Sequence, residues 1–170
     1  NNKNGILDPY MSCRDVFLDS WNCEAIMYQT THDYTNNQRH GSPRKFGGYE
    51  SAGVTQSLVD EFQMANGKGI RESGSGYSED GFTDADYMDP VSGWVFTPKG
   101  CSKMYYGREP RFYVNVAFCG AYCLYNNQYD QYSWQSYYNG DVGKKGSWVY
   151  SRTGYVRLKQ VSHGNNFRKR

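Results

Sequence analysis

Leu, Ile and Val are scarce in this 170-residue chain, and no apolar run is long enough to span a bilayer as a helix. No signal peptide or lipid-attachment motif is present. Charge of either sign is not in excess: a net charge of +2 offers no electrostatic case for nucleic acid, and Arg168-Lys169-Arg170 reads as a solvated end. Only 3 histidines occur, His32, His40 and His163, none in a His-x-x-x-His or triad-like setting. No Gly-x-Ser-x-Gly and no phosphate-binding glycine loop accompany them, so nucleophilic and nucleotide chemistry lack their parts. Hydrolysis of glycosides needs two carboxylates facing each other across a cleft. The acidic residues Glu79, Asp80, Asp84, Asp86 and Asp89 instead crowd into one stretch, where they read as solvated charge.

In place of aliphatic residues the chain has 17 Tyr and 19 Gly, and aromatics make up 17% of it. A core built this way packs through short elements and loops, using rings with an apolar body and a polar tip. Five cysteines, Cys13, Cys23, Cys101, Cys119 and Cys123, cannot all pair within the chain. On a continuous strand Cys119 and Cys123 would stand about 13 Å apart, too far for a bridge, an objection that a turn at Gly120-Ala121 would relax. All five are read as free thiols that pack as small hydrophobes. No cofactor is indicated. The spacing Asp84-x-Asp86-x-x-Asp89 could offer hard oxygen ligands to a structural Ca²⁺, but it lacks the Gly and distal Glu of an EF-hand loop.

Along the chain, Asp8-Pro9 opens a helix that ends near Asp19-Ser20, with Pro9 in its first turn. Residues 24–28 read as a short strand and 29–53 as a long ordered loop. Thr55 caps a helix with Leu58, Val59, Phe62 and Ala65 as its apolar stripe and Asn66-Gly67 as its stop. Residues 69–107 form a second long loop. Pro110 then leads from a salt-bridged corner, Arg108 to Arg111, into a strand over 112–118 whose side chains alternate. Residues 122–125 pair with that strand or extend it beyond a kink at Gly120, and 153–159 form a last strand. The fold class is α+β, loop-rich and irregular, with few short helices and strands.

Loops dense in Tyr, Trp, Asn, Gln and Arg suit sugar binding: flat C–H faces pack on rings while polar groups meet the hydroxyls. Candidates by loop position are Tyr28, His32, Tyr34, His40, Arg44, Phe46 and Tyr49, then Tyr77, Tyr87 and Trp94, then Tyr129, Tyr132, Trp134, Tyr137 and Tyr138. From these, Tyr34, His40, Tyr49, Tyr77, Trp94 and Trp134 are taken as the ligand-contacting set. No residue is assigned a catalytic or metal-binding role.

Four blocks in order give the chain a family likeness. They are Asp8-Pro9-Tyr10 through Glu24-Ala25-Ile26-Met27-Tyr28; Val54-Thr55-Gln56-Ser57-Leu58-Val59-Asp60-Glu61-Phe62-Gln63-Met64-Ala65-Asn66-Gly67; Gly76-Tyr77-Ser78-Glu79 and Asp89-Pro90 leading to Arg108-Glu109-Pro110-Arg111-Phe112-Tyr113; and Thr153-Gly154-Tyr155 with the strand ending at Lys159. Together they resemble the SusD/RagB family of nutrient-capturing outer-membrane lipoproteins of Bacteroidota. The resemblance implies that residues 1–170 are the central part of a SusD-like domain. The rest of that domain would be a tetratricopeptide-like helical scaffold and a lipid anchor, both in segments not present in this chain. It also implies a non-catalytic protein on the extracellular face of the outer membrane. Such a protein binds an oligosaccharide and works in polysaccharide utilisation with a SusC-like TonB-dependent transporter. A peptide-binding RagB-like protein and a carbohydrate-active enzyme are the alternatives. The matching residues Thr55, Arg108, Glu109 and Arg111 are expected to be structural.

Overall fold

The computed structural model describes residues 5–18, 24, 26–27, 34–42, 44, 47–125, 130–146, 148–159 and 161. Among the described residues, four short α-helices and six short strands are set in irregular chain: α1 (Pro9–Leu18), α2 (Tyr34–Gly41), α3 (Gln56–Glu61), β1 (Tyr87–Met88), β2 (Val95–Thr97), α4 (Pro110–Asn115), β3 (Val116–Ala117), β4 (Tyr122–Tyr125), β5 (Asp130–Ser133) and β6 (Val156–Arg157). The strands form three antiparallel pairs, β1–β2, β3–β6 and β4–β5. This is the loop-rich mixture of α and β expected from the composition.

Helix α1 begins where the sequence places it. The Asp8 carboxylate accepts the Met11 N–H at 2.9 Å, so the residue before Pro9 satisfies one of the helix's free amides. Tyr10 enters the core, and α1 packs on α4. The expected strand over 24–28 is not found in the described part of that stretch. Glu24, Ile26 and Met27 lie in no strand, and Ile26 and Met27 are exposed; Ala25 and Tyr28 fall outside the described residues. The expected loop over 29–53 contains α2.

The Pro110–Phe118 stretch corrects the alternation argument. Residues 110–115 form a helix and only Val116 and Ala117 a strand. Phe112, Tyr113, Val114, Val116, Ala117 and Phe118 are all buried, so the alternation of residue types does not separate a wet face from a dry one. Pro110 sits at the start of the helix, where its fixed φ is helical and its missing N–H costs nothing. The corner is salt-bridged as expected, Arg111 to Glu109 at 2.6 Å.

Thr55 does cap α3, accepting the Leu58 N–H at 3.3 Å, but the helix stops at Glu61 instead of reaching Ala65. The cause lies far away in sequence. The buried Arg108 guanidinium donates to the carbonyls of Val59 and Phe62, and the Glu109 carboxylate accepts the Gln63 N–H at 3.0 Å. A continuing helix would need the same Gln63 amide and Val59 carbonyl for each other. Beyond this point Glu109 N–H reaches Gln63 O at 3.0 Å, Ala65 N–H reaches Gly107 O at 2.8 Å, and Met64 bridges Arg108. The chain therefore leaves on an excursion after Ala65 and returns through the same gap at Gly107.

The core is aromatic. Phe96 stacks on Tyr113 with centroids 4.4 Å apart, and Tyr105 on Phe118 at 4.2 Å. Their polar tips find partners inside: Tyr113 Oη donates to Tyr105 O at 2.6 Å, and Tyr105 Oη to Tyr155 Oη, which donates to Gln56 Oε1 at 2.7 Å. Gly120, at φ 93°, turns the chain as expected, with its N–H on Trp134 O. A Cβ there would fall 2.3 Å from Cys101 Sγ, so both the dihedral and the space require glycine. After this turn β4 pairs with β5, not with the stretch before it. Strand β6 closes on β3, and Ala52 to Val54 run alongside it, with Arg157 N–H on Ala52 O at 2.8 Å. Cys13, Cys101 and Cys119 are free thiols; Cys23 and the Cys123 side chain lie outside the described set.

Candidate functional site

Helix α2 carries no acidic residue, and its last turn presents Arg39 and His40. The chain then doubles back. Tyr49 N–H bonds to Arg39 O at 2.7 Å and Ala52 N–H to His40 O at 3.2 Å, which lays residues 49–52 beside the helix end. Gly48 makes the approach possible, because a Cβ there would collide with Ser42 O at 2.0 Å. The same strand edge then pairs with β6 at Gly53 and Val156, bringing residues 148–153 opposite. Between the two runs lies an open groove of about 550 Å³, lined among others by His40, Tyr49, Ser51, Trp148, Tyr150 and Arg152.

Its surfaces are chemically mixed. Trp148 is 92% exposed, an indole with almost no protein contact. Tyr49 is half-buried and held: its ring centroid lies 5.4 Å from that of His40, and the Arg39 guanidinium sits 5.0 Å above it. His40 Nδ1 shares a short hydrogen bond with Ser51 Oγ. Between Tyr49 and Ser51, Glu50 turns inward. It is fully buried at φ 51°, and its carboxylate accepts the Arg44 N–H at 2.8 Å. Burial pushes its carboxyl up to about 7, with the Arg44 N–H and then the Arg44 charge pulling the other way.

Of the six ligand candidates named from the sequence, the structure brings together His40 and Tyr49. The Tyr34 side chain lies outside the described set. Tyr77 covers Arg108, 5.5 Å from its guanidinium, and donates to Glu79 at 3.0 Å; burial first, then Glu79, pushes its hydroxyl up to about 12. Trp94 is half-buried against Tyr10, with centroids 6.5 Å apart. Trp134 is a core residue at 2% exposure, which leaves no face for a ligand. Among the wider loop candidates, Tyr28, His32, Phe46 and Tyr129 lie outside the described residues, as does the side chain of Tyr132.

The groove residues missing from the sequence reading are Trp148, Tyr150 and Arg152. The available signal was the alternation Trp148-Val149-Tyr150 just upstream of Thr153-Gly154-Tyr155, two rings on one side of an extended run. As for Ca²⁺, Asp86 accepts the Lys99 N–H at 2.7 Å and Asp89 the Ser92 N–H at 2.9 Å. Among the described residues no group of three His, Cys, Asp or Glu could hold a metal ion.

An open groove with an exposed indole, held rings and hydroxyls, and no carboxylate in its lining, has the chemistry of a binding surface. The SusD family model matches residues 18–169, nearly the whole chain, and the protein belongs to the SusD family. No curated protein matches the chain. Among the described residues no helix is long and apolar enough to cross a membrane.

Proposed function

We propose that the protein captures oligosaccharides non-catalytically in the Trp148–Tyr49 groove, as part of a SusD-like nutrient-uptake system on the outer face of the outer membrane. A SusC-like TonB-dependent transporter is its partner, and residues 1–170 serve as the central part of the domain. Family membership supports this class of function. The observation that carries the glycan reading is Trp148, a large ring at 92% exposure on the rim of a groove of about 550 Å³. A bare indole on the rim of a groove offers a flat apolar face that a ligand in the groove can cover. Pyranose C–H faces cover it well, while His40, Ser51 and Tyr150 stand ready for hydroxyls.

Titration of the full-length protein with a panel of oligosaccharides and peptides tests the reading. Binding without hydrolysis, weakened at least about tenfold by Trp148→Ala at unchanged melting temperature, supports it. Binding of peptides only, turnover of a glycan, or glycan binding indifferent to Trp148 overturns it.

A further inference from the structure

The two segments that wall the groove differ from the rest of the chain in charge. All 17 Asp and Glu residues precede residue 142; beyond it the described chain carries Lys144, Lys145, Arg152, Arg157 and Lys159 with no acidic side chain. The described residues of the opposite segment, 34–42, 44 and 47–53, have one carboxylate, Glu50, against Arg39 and Arg44. Glu50 does not line the groove: it is buried, and one oxygen is committed to the Arg44 N–H. Among the described residues, the groove lining carries one fixed positive charge, Arg152, and no carboxylate.

Within that site Arg152 is exposed on the lining and has no ion-pair partner among the described residues. A neutral ligand settling here would strip water from a guanidinium and return nothing of opposite sign, a net cost. A carboxylate or sulfate instead meets the planar fork of Arg152 with two parallel hydrogen bonds. Nothing acidic in the lining opposes it.

We propose that the groove selects acidic glycans, chains bearing uronate carboxylates or sulfate esters, with Arg152 pairing the acid group while Trp148 stacks on a sugar ring. This rests on the groove being the glycan site, and the experiment separates the two claims. Affinities of the full-length protein, its Arg152→Gln variant and its Trp148→Ala variant are measured for polygalacturonate, κ-carrageenan (a sulfated galactan without carboxylates) and a neutral galactan, at low and high salt. The expected result is preference for one or both acidic polymers, lost with rising salt. Arg152→Gln should weaken acidic binding about ten- to a hundredfold without weakening neutral binding, which loses a desolvation cost, while Trp148→Ala weakens every glycan. Response to polygalacturonate alone assigns a carboxylate, and to κ-carrageenan alone a sulfate. Equal, salt-independent affinity for the neutral galactan, unchanged in Arg152→Gln but lost in Trp148→Ala, overturns the charge selection and leaves the glycan site standing. Indifference of all three polymers to Trp148→Ala removes both.

Discussion

Arg108 and Glu50 are both ionisable residues set inside the protein, and they are handled in opposite ways. Arg108 is 1% exposed, and its charge is met by the carbonyls of Val59, Phe62 and Met104 and by the faces of Phe112 and Tyr77. Burial pulls its guanidinium down from the ordinary range, with Tyr77 the first of the groups that resist. Three carbonyls from two separate segments need a fork, which lysine lacks. Arg108→Lys is therefore expected to cost about 2–4 kcal/mol in urea unfolding, although the charge is kept. A loss below about 1 kcal/mol would show that charge, not shape, is what the site requires.

Glu50 answers burial by holding its proton. Its carboxyl is pushed up to about 7 from an ordinary 4.5, so between those values the folded protein retains a proton that the unfolded chain has released. Stability contributed at this residue falls as pH rises through that window and is level above it. Glu50→Gln keeps an oxygen for the Arg44 N–H and removes the titration. Relative to the native protein, the variant should gain on the order of 2–3 kcal/mol between pH about 4 and pH about 8. Equal pH dependence in the two proteins would place the carboxyl's ionisation elsewhere.

At the scale of elements, the short helices owe their limits to distant partners. Thr55 starts α3 locally, which is why that end was legible in the sequence; its other end is set by Arg108 and Glu109, and bonds spanning 46 residues leave no local trace. The same holds for Phe112–Phe118. Two-residue alternation identifies a strand only where one face meets water, and here both faces are dry. The Gly120 turn was legible, because glycine between two short runs leaves few other roles. It also supplies a sharp test. Gly120→Ala is expected to cost about 3 kcal/mol or more, from the left-handed dihedral and from the collision with Cys101 Sγ. Removing that sulfur with Cys101→Ala should restore part of the loss, giving a coupling of about 1 kcal/mol or more in a double-mutant cycle. Strict additivity would mean that the sulfur and the glycine do not meet.

For the molecule as a whole, composition pointed to an aromatic core and to aromatic surface loops without dividing the rings between them. Trp134 and Trp148 show why. Both lie in polar, Gly- and Ser-containing stretches, yet one is 2% and the other 92% exposed. Which ring turns inward depends on the Gly120 turn, whose N–H takes the Trp134 carbonyl, and on the pairing of residues 52–54 with β6. Consequently the two tryptophans should separate on substitution. Trp134→Ala is expected to lose about 3–5 kcal/mol of stability, and Trp148→Ala to unfold as the native protein does while losing ligand. A Trp148→Ala protein that melts markedly earlier would mean that the indole braces the fold.

The gap between Ala65 and Gly107 has a further consequence. Its two sides are held to each other by backbone hydrogen bonds, by Glu109 and by Arg108, so the excursion between them is a ring closed without a covalent link. Cutting a ring once does not separate its ends. A single break at the exposed Ser73-Gly74 turn would yield two polypeptides, each carrying one side of the clasp and part of the aromatic stack, and so able to find each other again. The protein thus contains a natural seam at which it can be divided into complementary halves, its reassembly reporting on the clasp together with the core and strand contacts that join them.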